Sequence, residues 1–185
     1  MDSYVARQPI FDIKQDVFAY ELLYRSSLNN SYPWLDGDRA TAGVISNSFL
    51  LIGFDKLTRG KKAFINFTRN LLEDGVATLL PSETTVIEIL EDIEPDEKIL
   101  SICRELKKSG YLLALDDFTY DRKYVPLVEL ADIIKIDFQN TSIYERKAII
   151  DRIGHKKTKF LAEKVETRED FIGALKMGYS YFQRT

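Results

Sequence analysis

One cysteine (Cys103) and one histidine (His155) in 185 residues exclude an intrachain disulfide and a metal cluster built on histidine or thiolate. Long apolar runs are also missing: none approaches the ~18 residues of a membrane-spanning helix. The opening MDSYVARQPIFD lacks the layout of a signal peptide, so a cytoplasmic protein is expected, with no membrane partner. Positive charge is not in excess either. Lys and Arg number 26 against 29 Asp and Glu, for a net charge of −3. That balance argues against a nucleic-acid polymer held by broad phosphate neutralisation, while leaving room for a small anion bound locally. No low-complexity stretch or linker interrupts the chain, and residues 1–185 read as a single domain. What is present is ordinary for a packed core, at 45% apolar and 30% charged residues. Any metal here must be a hard cation held by oxygen.

Strand-like and helix-like segments alternate along the chain. Residues 4–11 and 17–25 read as two strands joined by DIKQD, a connection too short for a parallel crossover, so this pair is expected to be antiparallel. A helix is expected over 40–52. Strands then follow at 63–67, 85–90, 111–115, 132–137, 159–165 and 179–183. Helices are expected between them: one capped by Thr68, one with Pro95 in its first turn, one near 126–131, one over 142–154, and one opened by a Thr167–Asp170 capping box and closed by Gly178. Eight strands alternating with helices imply an α/β fold with a parallel sheet under helices. The expected form is a modified (β/α)8 barrel of the TIM type, with an antiparallel leading strand and short connections. An open doubly wound sheet is the alternative.

Polar residues sit at or near the strand ends: Glu21, Asn66, Glu88, Asp116 with Asp117, Lys135, Glu163 and Gln183. In a parallel barrel the C-terminal strand ends converge on one mouth. Carboxylates crowded there would repel one another, and a divalent cation with oxygen ligands (Mg²⁺, Mn²⁺ or Ca²⁺) resolves the conflict. A single strand-end acid is more often a helix cap or half of an ion pair, and Lys135 could pair with Asp132 or Asp137. In IIKID, however, alternation sets Lys135 opposite Ile134 and Ile136, facing the barrel interior. Arg25 offers a planar fork suited to phosphate. Cys103 reads as core and His155 as surface.

Taken together, RQPIFD, YELLYR, FINF, VIEILE, ALDDF, IKID, LAEKVET and YFQ resemble, in order, the motifs of EAL domains, the cyclic di-GMP phosphodiesterase fold. The opening and the LAEKVET version are closest to EAL domains fused to an HDOD signalling domain. The resemblance implies a leading antiparallel strand and cation-dependent hydrolysis of cyclic di-GMP to linear pGpG, with Mg²⁺ or Mn²⁺ as cofactor and Ca²⁺ inhibitory. It assigns Glu21, Asn66, Glu88 and Asp116 to a metal, and Asp117 to a second. Lys135, Glu163, Glu166 and Gln183 fall at catalytic positions, Gln8 and Arg25 at substrate-binding ones. It also implies a homodimer through the region around 117–124, and a C-terminal HDOD or other signalling partner.

Besides the tail after the glutamine, where Arg184-Thr185 stands instead, three stretches depart from the family pattern. Leu22 replaces the alanine of the signature, Thr119-Tyr120-Asp121-Arg122 replaces a glycine-rich loop, and Lys164 replaces a glycine. The altered loop and Lys164 support a second expectation, a catalytically impaired module acting as a cyclic di-GMP receptor or a protein-interaction domain. Complete barrels of this type typically need about 250 residues. A barrel trimmed at its C-terminal side, or the front of a longer protein, is therefore expected.

Overall fold

A computed structural model of the protein describes residues 4–25, 53–154 and 157–185; the helix expected over 40–52 and His155 lie outside them. Strands β1 (Tyr4–Asp12) and β2 (Val17–Arg25) form the expected antiparallel hairpin. Its turn is held by Asp12, whose Oδ1 accepts from the backbone N–H groups of Lys14 at 2.8 Å and Asp16 at 3.0 Å. Next come α1 (Phe54–Thr58), β3 (Lys62–Phe67), α2 (Arg69–Glu73), β4 (Thr85–Ile89), α3 (Glu97–Lys108) and β5 (Leu112–Leu115). The chain continues through α4 (Val125–Val128), β6 (Ile133–Asp137), α5 (Ile143–Ile153), β7 (Lys159–Glu163), α6 (Arg168–Met177) and β8 (Tyr181–Gln183).

Each strand from β2 to β8 is parallel to the next, and β1 pairs antiparallel with both β2 and β8. The result is a closed eight-stranded barrel, which excludes the open sheet. Alternation along each strand divides the core in two. Ile87 and Ile89, Leu113 and Leu115, and Ile134 and Ile136 face outward, in one cluster with Ile99, Cys103, Leu106, Ile149 and Ala174 of the helices. The inner cluster, made of Ile10, Ala19, Phe64, Val86, Ala114, Ile133 and Leu161, plugs the barrel interior. No helix among the described residues is long and apolar enough to cross a membrane.

Several boundaries differ from the sequence pattern, for local reasons. The strands expected from 111 and 179 begin later because Tyr111 and Tyr179 finish the preceding helices. Their N–H groups reach back to the carbonyls of Leu106 (3.1 Å) and Ala174 (3.1 Å), each just after a left-handed glycine, Gly110 or Gly178. They cannot also join the ladder. The strand expected over 159–165 ends at Glu163, because Lys164 turns into the left-handed region at φ 53°. Pro95 lies ahead of α3 rather than in its first turn: Asp96 is the cap, accepting from Ile99 N at 3.0 Å. The helix expected near 126–131 is a short 3₁₀ turn (Arg122–Tyr124) running into α4. The capping box of Thr167 and Asp170 forms as expected.

Candidate active site

The polar residues that drew notice in the sequence stand one step above the apolar plug. Ala19, Phe64, Val86, Ala114, Ile133 and Leu161 belong to the inner layer. Two residues later in each case come Glu21, Asn66, Glu88, Asp116, Lys135 and Glu163. A step of two along a strand returns the side chain to the same face. On β8, Gln183 follows Tyr181 in the same way; on the antiparallel β1, Gln8 precedes Ile10. The barrel is therefore filled with hydrocarbon below and with oxygen, amide and ammonium groups at the mouth. Outward-facing neighbours stay in the outer core: Leu22, beside Glu21, is buried there without touching the site's side of the sheet.

Lys135 is the centre of this layer, with 1% of its side chain exposed. Its Nζ lies 2.6 Å from Glu88 Oε1, 2.6 Å from Asp116 Oδ1, 3.0 Å from Glu163 Oε1 and 3.5 Å from Glu21 Oε2. Neither Asp132 nor Asp137 is its partner: Asp132 pairs with Lys107 at 2.5 Å, and Asp137 with Lys164. Gln183 Nε2 donates to Glu21 Oε2 at 2.6 Å, and Asn66 Nδ2 reaches Glu21 Oε1 at 3.5 Å. Burial opposes charge on Lys135, but the surrounding carboxylates outweigh it and hold the ammonium well above its ordinary pKa. Burial, with Glu21 nearby, pushes the Glu88 carboxyl well up despite Lys135.

Four carboxylates thus share one ammonium, and acceptors are left over. Glu88 Oε2, Glu163 Oε2 and Gln183 Oε1 are buried without a hydrogen-bond donor. Unsatisfied buried oxygens are costly, and an all-oxygen set of this kind fits a hard divalent cation. Among the described residues no three His, Cys, Asp or Glu side chains already stand as a closed metal-binding group. The carboxylates are turned toward the Lys135 ammonium instead.

Above this layer opens a cavity of about 610 Å³, lined among others by Gln8, Glu21, Asn66, Asp117, Glu163 and Lys164. Asp117 is exposed at the rim, and its carboxyl pKa is raised by partial desolvation and by Asp116. Gln8 lines the cavity with its amide donating to the Arg184 carbonyl. Glu166 does not line it: Glu166 Oε1 accepts from Gln139 Nε2 (2.9 Å) and Thr185 Oγ1 (2.9 Å), tying two rim loops together. Arg25 ends β2, but its side chain lies outside the described part. Sequence reasoning missed Asp137 as a partner for Lys164; only their positions on adjacent strands, with Asp137 paired to Glu163, could have signalled it.

The chain is 48% identical over 188 residues to the Bacillus subtilis (strain 168) protein YuxH, covering 99% of this chain and 46% of that one. No family model matches it. Over 184 residues it is 36% identical to the cyclic di-GMP phosphodiesterase CdgJ of Vibrio cholerae, covering 98% of this chain and 43% of that protein. It spans less than half the length of either relative. Its fold matches the Bacillus subtilis YkuI protein, which has an EAL domain and was solved with cyclic di-GMP and calcium, at a TM-score of 0.69 and 21% identity. That match covers 99% of this chain and 54% of the other. The chain has the fold of EAL domains.

Within this EAL-type fold, the loop expected to replace a glycine-rich segment follows a path needing no glycine. Left-handed φ values among its described neighbours occur at Asp117 (39°) but at none of Thr119, Tyr120, Asp121 or Arg122. Asp121 instead caps the 3₁₀ turn by accepting from Lys123 N at 3.0 Å.

The acid layer carries a pH-dependent cost. Burial raises Glu163 to about 7, against a partial offset from Lys135 and with Asp116 and Glu21 adding to the rise. An unfolded chain releases this proton near pH 4.5, whereas the folded cation-free domain holds it to about pH 7. Stability from this group is thus complete below about pH 4.5 and lost as pH rises through 7, by ~3 kcal/mol at most. Urea unfolding in EDTA should show the fall between pH 5 and 8, and Glu163→Gln should flatten it. An equal slope in the variant would place the titration elsewhere.

Proposed function

We propose that this chain is an EAL domain acting as a divalent-cation-dependent phosphodiesterase that hydrolyses one phosphodiester of cyclic di-GMP to linear pGpG. The observation that carries this reading is the convergence of four carboxylates, Asn66 and Gln183 around Lys135, beneath a 610 Å³ cavity. The names of CdgJ, a cyclic di-GMP phosphodiesterase, and of the YkuI complex with cyclic di-GMP and calcium support the choice of substrate. Glu21, Asn66, Glu88 and Asp116 would hold Mg²⁺ or Mn²⁺, with Asp117 on the cavity rim beside them. A cation there lowers the pKa of the attacking water and offsets charge growing on the phosphate.

The chain's own groups do the rest. Glu163 takes a proton from water as the water oxygen bonds to phosphorus; the bond from phosphorus to the ribose 3′-oxygen breaks, that oxygen takes a proton from solvent, and Glu163 returns its own to solvent. Burial raises the Glu163 carboxyl, which favours its accepting a proton. Lys135 holds the attacking water and balances the negative layer. Gln183 fixes Glu21 by its hydrogen bond. Gln8 and Arg25 contact substrate, and Glu166 braces the loop that follows Glu163.

Incubation of the purified protein with cyclic di-GMP, followed by chromatography of the nucleotides, tests the reading. We expect pGpG with Mn²⁺ or Mg²⁺ and none in EDTA. Absence of product with every cation overturns it.

A further inference from the structure

Only four non-glycine residues among those described have φ in the left-handed region: Gln15, Arg59, Asp117 and Lys164. Gln15 lies in the β1–β2 turn and Arg59 in the turn after α1. The other two directly follow site acids, Asp116 and Glu163, and both line the mouth cavity. A lysine at φ 53° costs on the order of 1 kcal/mol relative to glycine, so something must hold it there.

The hold is visible. Lys164 Nζ is hydrogen-bonded to Asp137 Oδ2. Asp137 is itself a rigid acceptor: its carboxylate also takes the N–H groups of Gln139 (2.6 Å) and Asn140 (3.1 Å), and Asn140 Nδ2 (2.6 Å). The strands beneath are locked by Phe138 N to Glu163 O at 3.1 Å and Val165 N to Gln183 O at 3.0 Å. Asp137 is 4% exposed while Lys164 is 37% exposed, so the pair is anchored inside and presents its cation to the cavity. Asp117 and Glu163 also act on that ammonium through space.

A second divalent ion at this rim would need Asp117, and would sit in the field of a fixed positive charge. We propose that Lys164 is a built-in cation that takes the place of a second metal ion, so that the mouth binds one divalent cation rather than two. This rests on the metal-dependent reading above. Lys164 is a positioning residue here: held by Asp137, it sets a fixed charge in the field of Asp117 and Glu163 and offers it to one substrate phosphate.

Titration of the chelator-treated protein with Mn²⁺ alone, followed by calorimetry and by the loss of the free-ion paramagnetic resonance signal, tests the proposal. Wild type should bind one ion in the mouth, and Lys164→Gly two. Lys164→Asn provides a second variant, since Gly and Asn both tolerate the left-handed backbone without carrying charge. Far-ultraviolet circular dichroism confirms the fold of each. Two ions in wild type, or one ion in both folded variants, overturns the proposal. No ion bound by any of the three proteins would instead overturn the metal-dependent reading on which it rests.

Discussion

Lys135→Met should lower the unfolding free energy of the cation-free protein by about 3–5 kcal/mol, the usual cost of removing one partner from a buried charge set. Methionine approximates the volume of the lysine stem, so packing against the barrel wall changes little. What is lost is the ammonium within 3.5 Å of Glu21, Glu88, Asp116 and Glu163. Those carboxyls must then take up protons or repel one another in a site sealed from water on its lower side by Ala19, Phe64, Val86 and their neighbours. Urea unfolding in EDTA measures the loss directly. Because the layer is an all-oxygen set with buried acceptors to spare, Mn²⁺ should restore the variant more than it stabilises wild type. An unchanged unfolding midpoint in EDTA would mean that Lys135 is not the counter-ion that keeps the acid layer folded.

Glu163→Gln should lower the turnover of cyclic di-GMP by about 10²–10⁴-fold, the range expected when a positioned general base is removed. The amide keeps the shape and the contacts of the strand end but cannot accept the proton of the attacking water. Nucleotide affinity, measured by calorimetry with Ca²⁺ to suppress turnover, should stay within a few-fold of wild type. This split between rate and binding is what separates a base from a binding residue. Retained turnover would remove Glu163 from the chemistry, and affinity lost in parallel with turnover would make it a ligand instead.

Much of the site could be read from spacing because a barrel converts a local rule into a global one. In TVIEI and IIKID, strict alternation assigns Glu88 and Lys135 to the face opposite Ile87, Ile89, Ile134 and Ile136, and the structure puts them there. Turn and cap chemistry was equally local: Thr68, Ser142 and Thr167 all accept from the backbone N–H three residues on. Where the pattern misled, at Tyr111 and Tyr179, strand-forming residues were recruited by the helix ends behind them. Backbone hydrogen bonds already formed outrank a side chain's preference for the ladder.

The sequence by itself determined that this chain alternates strand and helix, that its first two strands form a hairpin, and that a row of acids and one lysine lines strand ends. It could not say who pairs with whom. Gln183 and Glu21 are 162 positions apart and meet only because β1 joins β8 to β2 and closes the ring. Lys135 had Asp132 and Asp137 within three positions, yet its partners came from four other strands, because alternation and barrel closure bring those strand ends to its Nζ while Lys107 and Lys164 claim the neighbours. Local alternation chooses the face a side chain looks toward. Only closure of the barrel decides what it finds there.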